Sequence, residues 1–218
     1  MSRPGLVIFD CDGVLVDTER TSNMRLAEWL TEAGYVVSYE DCRRTFVGQS
    51  MASVQARVRA ADVDLGDDFV QRWNEGLPTL FAAGLEPVAH IREAVEAIVA
   101  AGVPHCVASS GQLTKMHLTL GLTGLLPLFE HALYSVSMVT RGKPFPDLFL
   151  HAAGAMGHAP DACVVVEDSV AGVMAARAAG MRALAYCGDP EAERDGLAAG
   201  GGELFDDMRD LPRLIGIA

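Results

Sequence analysis

The chain of 218 residues is long enough for one α/β domain with a small insert, and half of its residues are apolar. Its 17 basic against 29 acidic residues, a net charge of -12, argue against nucleic acid as a partner, and no apolar run approaches the roughly 18 residues of a membrane span. With no charged-then-apolar leader, the expectation is a soluble cytoplasmic protein that is a monomer or a weak homodimer, with no membrane partner.

Leu6 to Phe9 is apolar on both faces, as suits a central parallel strand between helices, and it stops at Asp10-Cys11-Asp12-Gly13. The end of such a strand is where open α/β sheets bind ligands, and Gly13 lets the backbone turn there. After Asp17 the pattern is helical. Leu26, Trp29, Leu30 and Ala33 share a face before Gly34, and Ser38 with Asp41 opens a second helix. Val54, Val58 and Ala61 mark a third helix; Phe69, Trp73, Leu77 and Leu80 mark a fourth, in which Pro78 is a point for a kink or break. These four make a helical insert between two candidate linkers, Val14 to Asp17 and Gly84 to Val88.

From Val88 helix and strand alternate: a helix to Ala101, a strand Val103 to Ala108, then Ser109-Ser110-Gly111 and another helix. A short strand near Ala132 to Tyr134, the loop Arg141-Gly142-Lys143-Pro144 and a helix from Asp147 to Met156 follow. Cys163 to Val166 reads as a buried strand ending in Glu167-Asp168, with Ser169 capping a helix from Val170 to Ala179. Met181 to Tyr186, and a last strand and helix near Leu204 to Ile215, close the sheet. The five cysteines are odd in number and scattered, which fits reduced core thiols, and the histidines form no zinc motif.

Three apolar strands therefore end in residues able to do chemistry: Asp10, Ser109, and Glu167 with Asp168. Parallel strands bring those ends together, and Asp10, Asp12, Glu167 and Asp168 in one site call for a hard divalent cation such as Mg2+. Lys143 adds positive charge, and Ser109 with the amides after it offers a phosphate cradle. Each residue also has a plainer reading. Ser109 serves equally as a helix cap, Lys143 as a solvated surface lysine, and Glu167-Asp168 as partners of a helix dipole. Against the plain reading of Lys143, it is one of only two lysines beside fifteen arginines, and it sits between Gly142 and Pro144.

In order along the chain, Asp10-Cys11-Asp12-Gly13-Val14-Leu15-Val16-Asp17, Ser109, Gly142-Lys143-Pro144-Phe145-Pro146-Asp147 and Glu167-Asp168-Ser169-Val170-Ala171-Gly172 resemble the four motifs of the haloacid dehalogenase-like phosphohydrolases. The resemblance implies an α/β fold, a Rossmann-like parallel sheet core of residues 1–17 and 87–218, with a small inserted α-helical cap of residues 18–86. It implies Asp10 as nucleophile through an aspartyl-phosphate, Asp12 as acid and base, and Ser109, Ser110 and Lys143 on the phosphoryl group. It further implies Mg2+ at Asp10, Asp12 (through its carbonyl), Asp168 and Glu167, and substrate contacts from Gly48, Gln49 and Ser50 in the cap. Asp12 is absent from the dehalogenase branch, and no lysine precedes Lys115 to form the Schiff base of the phosphonatase branch. Ser22 stands near the position where the mutase branch has histidine. The expected activity is a Mg2+-dependent phosphatase of a small phosphorylated metabolite, similar to the sugar-phosphate and 6-phosphogluconate phosphatase types through Glu167 to Gly180 and Tyr186 to Pro190. A β-phosphoglucomutase-like mutase is the alternative within enzymes, and a silent ligand-binding module the alternative outside them.

Overall fold

A computed structural model describes residues 3–46, 51–129 and 131–218. Within it the chain divides into two compact units, Met1–Val16 with Glu86–Ala218, and Asp17–Leu85. The larger unit is built on six parallel strands: β1 (Leu6–Phe9), β2 (His105–Ser109), β3 (Leu133–Ser135), β4 (Cys163–Glu167), β5 (Arg182–Tyr186) and β6 (Glu203–Phe205). Their order is β3-β2-β1-β4-β5-β6, the Rossmann arrangement, in which strand order reverses beside β1 and leaves a crevice at the carboxyl ends. All four residues of β1 are buried, as a strand covered on both faces requires.

Alternate residues of the sheet serve different faces. Leu6 and Ile8 of β1 join Cys106, Val165, Ala183 and helices α7 (Asp147–Ala155) and α8 (Val170–Ala178) in one apolar cluster. Phe9 instead meets the ring of Phe129 edge-on at 5.8 Å. Helices α5 (Ile91–Ala100) and α6 (Leu113–Leu122) contribute the buried residues Ile91, Val95, Ile98, Met116 and Leu120. The pairings Phe9 with Val107 and Phe9 with Val166 set the heights of the strand ends. Asp10 follows immediately, its N–H donating to the Val166 carbonyl at 2.9 Å. Glu167, the last residue of β4, and Ser109, the last of β2, therefore end up around it.

The segments read as linkers pair with each other where they lie in the larger unit. Val14, Leu15 and Val16 are wholly buried, Val16 bridges Pro87 in antiparallel sense, and the Val88 N–H donates to the Leu15 carbonyl at 3.1 Å. The chain leaves for the helical insert and returns from it along one paired ribbon.

The helical unit contains α1 (Thr18–Glu32), α2 (Tyr39–Phe46), α3 (Met51–Arg59) and α4 (Phe69–Gly84). Asp17 caps α1 by accepting the Arg20 N–H at 3.1 Å, and Ser38 accepts the Asp41 N–H at 3.0 Å, so both starts form as their side chains dictate. Leu26, Leu30, Cys42, Phe46, Val54, Val58, Phe69 and Trp73 make its core, with Trp29 stacked on Trp73 at 5.9 Å. Three expectations need correction here: the break at Pro78, Leu80 on the buried face and Ala61 in the third helix. Pro78 lies inside a continuous α4, and beyond it the buried side chain is Phe81 rather than Leu80, because the face advances in steps of four from Phe69 through Trp73 and Leu77. Ala61 lies past the end of α3 and is exposed.

The remaining α-helices are α9 (Arg194–Ala199), which sequence periodicity misses, and α10 (Leu211–Leu214). All five cysteines are buried and unpaired with one another. Among the described residues no helix is long and apolar enough to cross a membrane.

Candidate active site

At the carboxyl end of β1 an ionic cluster is assembled from three stretches far apart in sequence. Lys143 Nζ donates to Asp10 Oδ1 at 2.6 Å and to Glu167 Oε1 at 2.6 Å. The other Glu167 oxygen accepts the Ser169 N–H at 2.7 Å and the Ser169 hydroxyl at 2.8 Å. Ser169 Oγ in turn accepts the Gly172 N–H at 3.0 Å, so one serine caps α8 and anchors Glu167. The side chains of Lys143 and Glu167 are 6% and 1% exposed, which removes the reading of Lys143 as a surface lysine.

Carboxylate oxygens of Asp10, Glu167 and Asp168 lie within 4.8 Å of one another. At an effective dielectric of about 20, two full charges at such a separation repel by about 3 to 4 kcal/mol. Burial, with help from Glu167 and Asp12 and against the pull of Lys143, pushes the Asp10 carboxyl up to about 7. Burial likewise works against the Lys143 charge, yet the adjoining Asp10 and Glu167 outweigh it and raise the ammonium above its ordinary value. An all-oxygen, anionic set that Lys143 alone leaves crowded fits a hard divalent cation.

The backbone around these carboxylates leaves no room for side chains. Gly13 has φ +79°, and a Cβ there would stand 1.9 Å from Asp168 Oδ2. A Cβ on Gly172 would stand 1.7 Å from Glu167 Oε1. Since Glu167 is held by Lys143 and Ser169, it cannot swing away. Gly172→Ala is expected to cost about 3 kcal/mol in denaturant unfolding, while Gly154→Ala, in a helix with nothing within 4 Å of its Cβ, should change stability by less than about 1 kcal/mol. Equal effects at the two positions would contradict the packing described.

A second group borders the first. Ser109 Oγ accepts the Gly111 N–H at 3.0 Å, closing a tight turn, and the N-cap position before α6 is held by Gln112. The cap reading of Ser109 therefore does not hold: its hydroxyl serves the turn rather than the helix. Ser110 beside it is exposed. Lys115 Nζ donates to Asp12 Oδ2 at 2.8 Å, a contact the sequence reading missed. Its only signal was rarity, since Lys115 is the other of the two lysines in the chain. Asp10, Lys143, Glu167 and Asp168 are thus gathered in one cluster, with Asp12, Ser109, Gly111 and Lys115 beside it. Gly48, Gln49 and Ser50 lie outside the described residues.

Comparison with known proteins shows the family. The family model of haloacid dehalogenase-like hydrolases matches residues 4–180. The 6-phosphogluconate phosphatase of Escherichia coli is 33% identical over 196 residues, covering 87% of this chain and 86% of the relative. The fructose-1-phosphate phosphatase of the same organism is 30% identical over 179 residues, 82% of this chain and 94% of the relative. Among solved structures, a hydrolase of this family from Deinococcus radiodurans, with bound phosphate and sodium, superposes with a TM-score of 0.89 at 29% identity, covering all of this chain and 98% of that one.

Proposed function

Because the chain belongs to the haloacid dehalogenase-like hydrolases, as a phosphoric monoester hydrolase, we propose that it releases phosphate from small phosphorylated sugars, polyols or sugar acids through a phosphoryl group carried on Asp10. The observation that carries this reading is the Lys143 ammonium held between Asp10 and Glu167 at the end of the central strand.

The proposed chemistry assigns each residue of the cluster a part. Asp10 supplies a carboxylate oxygen that attacks phosphorus as the bond to the sugar oxygen breaks, and Asp12 gives that oxygen a proton. In the second half Asp12 takes a proton from water, the water oxygen attacks phosphorus, and the Asp10 carboxylate is released. An ammonium has three N–H donors, so Lys143 can hold both carboxylates and still donate to a phosphoryl oxygen, alongside the Ser109 hydroxyl and neighbouring amides. The Asp10 and Asp168 carboxylates and the Asp12 carbonyl, with Glu167 beside them, would hold Mg2+, whose charge offsets both the crowded carboxylates and the phosphoryl oxygens.

The names of the relatives support the substrate class: beside those above, a hexitol phosphatase of Escherichia coli is 29% identical over 190 residues. The test is a panel of 6-phosphogluconate, fructose 1-phosphate, hexitol phosphates and glucose 1-phosphate, read by released inorganic phosphate. Phosphate should appear from at least one of the first three, fall to background with a chelator, and return when Mg2+ is added. Interconversion of glucose phosphates without phosphate release would replace the hydrolase reading with the mutase one.

A further inference from the structure

We propose that Lys115 is a positioning residue for Asp12, holding its carboxylate on the side of the Ser109 turn where the leaving oxygen must arrive. The inference rests on Asp12 being the proton carrier. Stability does not account for this contact. The two side chains are 36% and 27% exposed, and pairs so placed ordinarily contribute little to folding. Geometry accounts for it better. A proton carrier must meet its oxygen at hydrogen-bond distance, and Asp12 stands on a short loop with two rotatable side-chain bonds.

Helix α6 is fixed against that loop at two successive turns. Lys115 reaches Asp12, and Thr119, four residues on and wholly buried, lies with its hydroxyl 4.0 Å from Cys11 Sγ. Between them and Ser109 the chain has glycine. A Cβ on Gly111 would stand 3.3 Å from Ser109 Oγ, 3.7 Å from Asp12 Oδ2 and 3.7 Å from Lys115 Cδ. The turn, the lysine stem and the carboxylate thus enclose one small space, and the lysine is the wall that carries a charge-assisted hydrogen bond.

The test compares Lys115→Met, Lys115→Gln, Asp12→Asn and the double variant Asp12→Asn with Lys115→Met. Two esters are used: the sugar or polyol phosphate that the parent turns over fastest, and p-nitrophenyl phosphate, whose leaving group needs no proton. Lys115→Met should lower kcat on the sugar ester about tenfold with KM changed less than about twofold. The single-turnover burst of nitrophenol should stay within about twofold of the parent, and Lys115→Met should add nothing to Asp12→Asn. Lys115→Gln keeps a donor without the charge and should fall between. A loss mainly in KM would make Lys115 a substrate contact, and equal losses on both esters, or additive losses in the double variant, would make it structural; any of these overturns the proposal. If Asp12→Asn itself shows no preference for the acidic leaving group, the proton-carrier reading fails; if it does and Lys115→Met does not, only the role given to Lys115 fails.

Discussion

Asp10→Asn is expected to lower phosphate release by at least about 10⁴-fold and to leave a protein as stable as the parent in the presence of chelator. The loss follows from the proposed chemistry, since an amide in place of the carboxylate has no oxygen able to carry the phosphoryl group. Unchanged stability follows from the cluster. Asparagine fills nearly the same space, keeps an oxygen able to accept from Lys143, and removes one of three carboxylates crowded within 4.8 Å. Lys143 keeps Glu167 as its anionic partner. Circular dichroism melts beside a phosphate-release assay would check both parts. Fluoroberyllate should bind the parent and not this variant. An Asp10→Asn protein that retained more than about a hundredth of parent turnover would remove Asp10 from the role of nucleophile.

Lys143→Met should fail differently, losing stability as well as turnover. Methionine preserves most of the apolar stem, which lies near the Phe149 ring with the ammonium 5.0 Å from its centre, but it leaves Asp10 and the wholly buried Glu167 facing each other without their shared cation. Breaking a buried ion pair at one partner ordinarily costs about 3 to 5 kcal/mol, because the remaining charge has no compensation. The same logic makes the defect conditional. If Mg2+ binds the carboxylates as proposed, it replaces part of the missing charge, and the melting temperature of Lys143→Met should rise more on adding Mg2+ than that of the parent. Denaturant titrations with and without Mg2+ measure this directly. An unfolding free energy within about 1 kcal/mol of the parent in chelator would show that Lys143 is not what holds the cluster together.

The contrast between these two variants reflects what could be read from the sequence. Asp10, Ser109, Glu167 and Asp168 were legible because each stands where an apolar strand ends, and parallel strands put such ends on one edge. The sheet was legible for the same reason: Leu6 to Phe9 and Cys163 to Val166 have no polar residue to place outward. Lys115 was not legible, since 103 residues separate it from Asp12 and only the position of α6 over the sheet brings them together. Nor was the double use of Glu167, which depends on Lys143 reaching it from a loop 24 residues away. Helix α9 escaped because it is short, holds Gly196 and buries only Leu197, too little to set a period. The misassignment of Leu80 for Phe81 has a local cause: two adjacent apolar residues both fit the pattern, and Pro78 obscured which of them continued the face.

The central place of β1 has a consequence for how the protein is made. It comes first in sequence among the six strands, yet its two neighbours are β2 and β4, so both of its edges wait for partners that are synthesised later. Roughly 160 residues separate Phe9 from the end of β4, which at 5–20 residues per second is a delay of roughly 8 to 30 s. The helical unit, whose chain is contiguous, has all its own segments available once Leu85 is made, whereas Leu-Val-Ile-Phe has unpaired backbone on either side until β2 is made, and an open edge toward β4 for the rest of the interval. Chains that terminate early therefore present an apolar strand with two open edges, a ready substrate for aggregation or for chaperones. The nucleophile proposed at its end gains its lysine only after the first three of the six strands exist, so nascent fragments short of Lys143 should be inert toward phosphate esters however well their helices have formed.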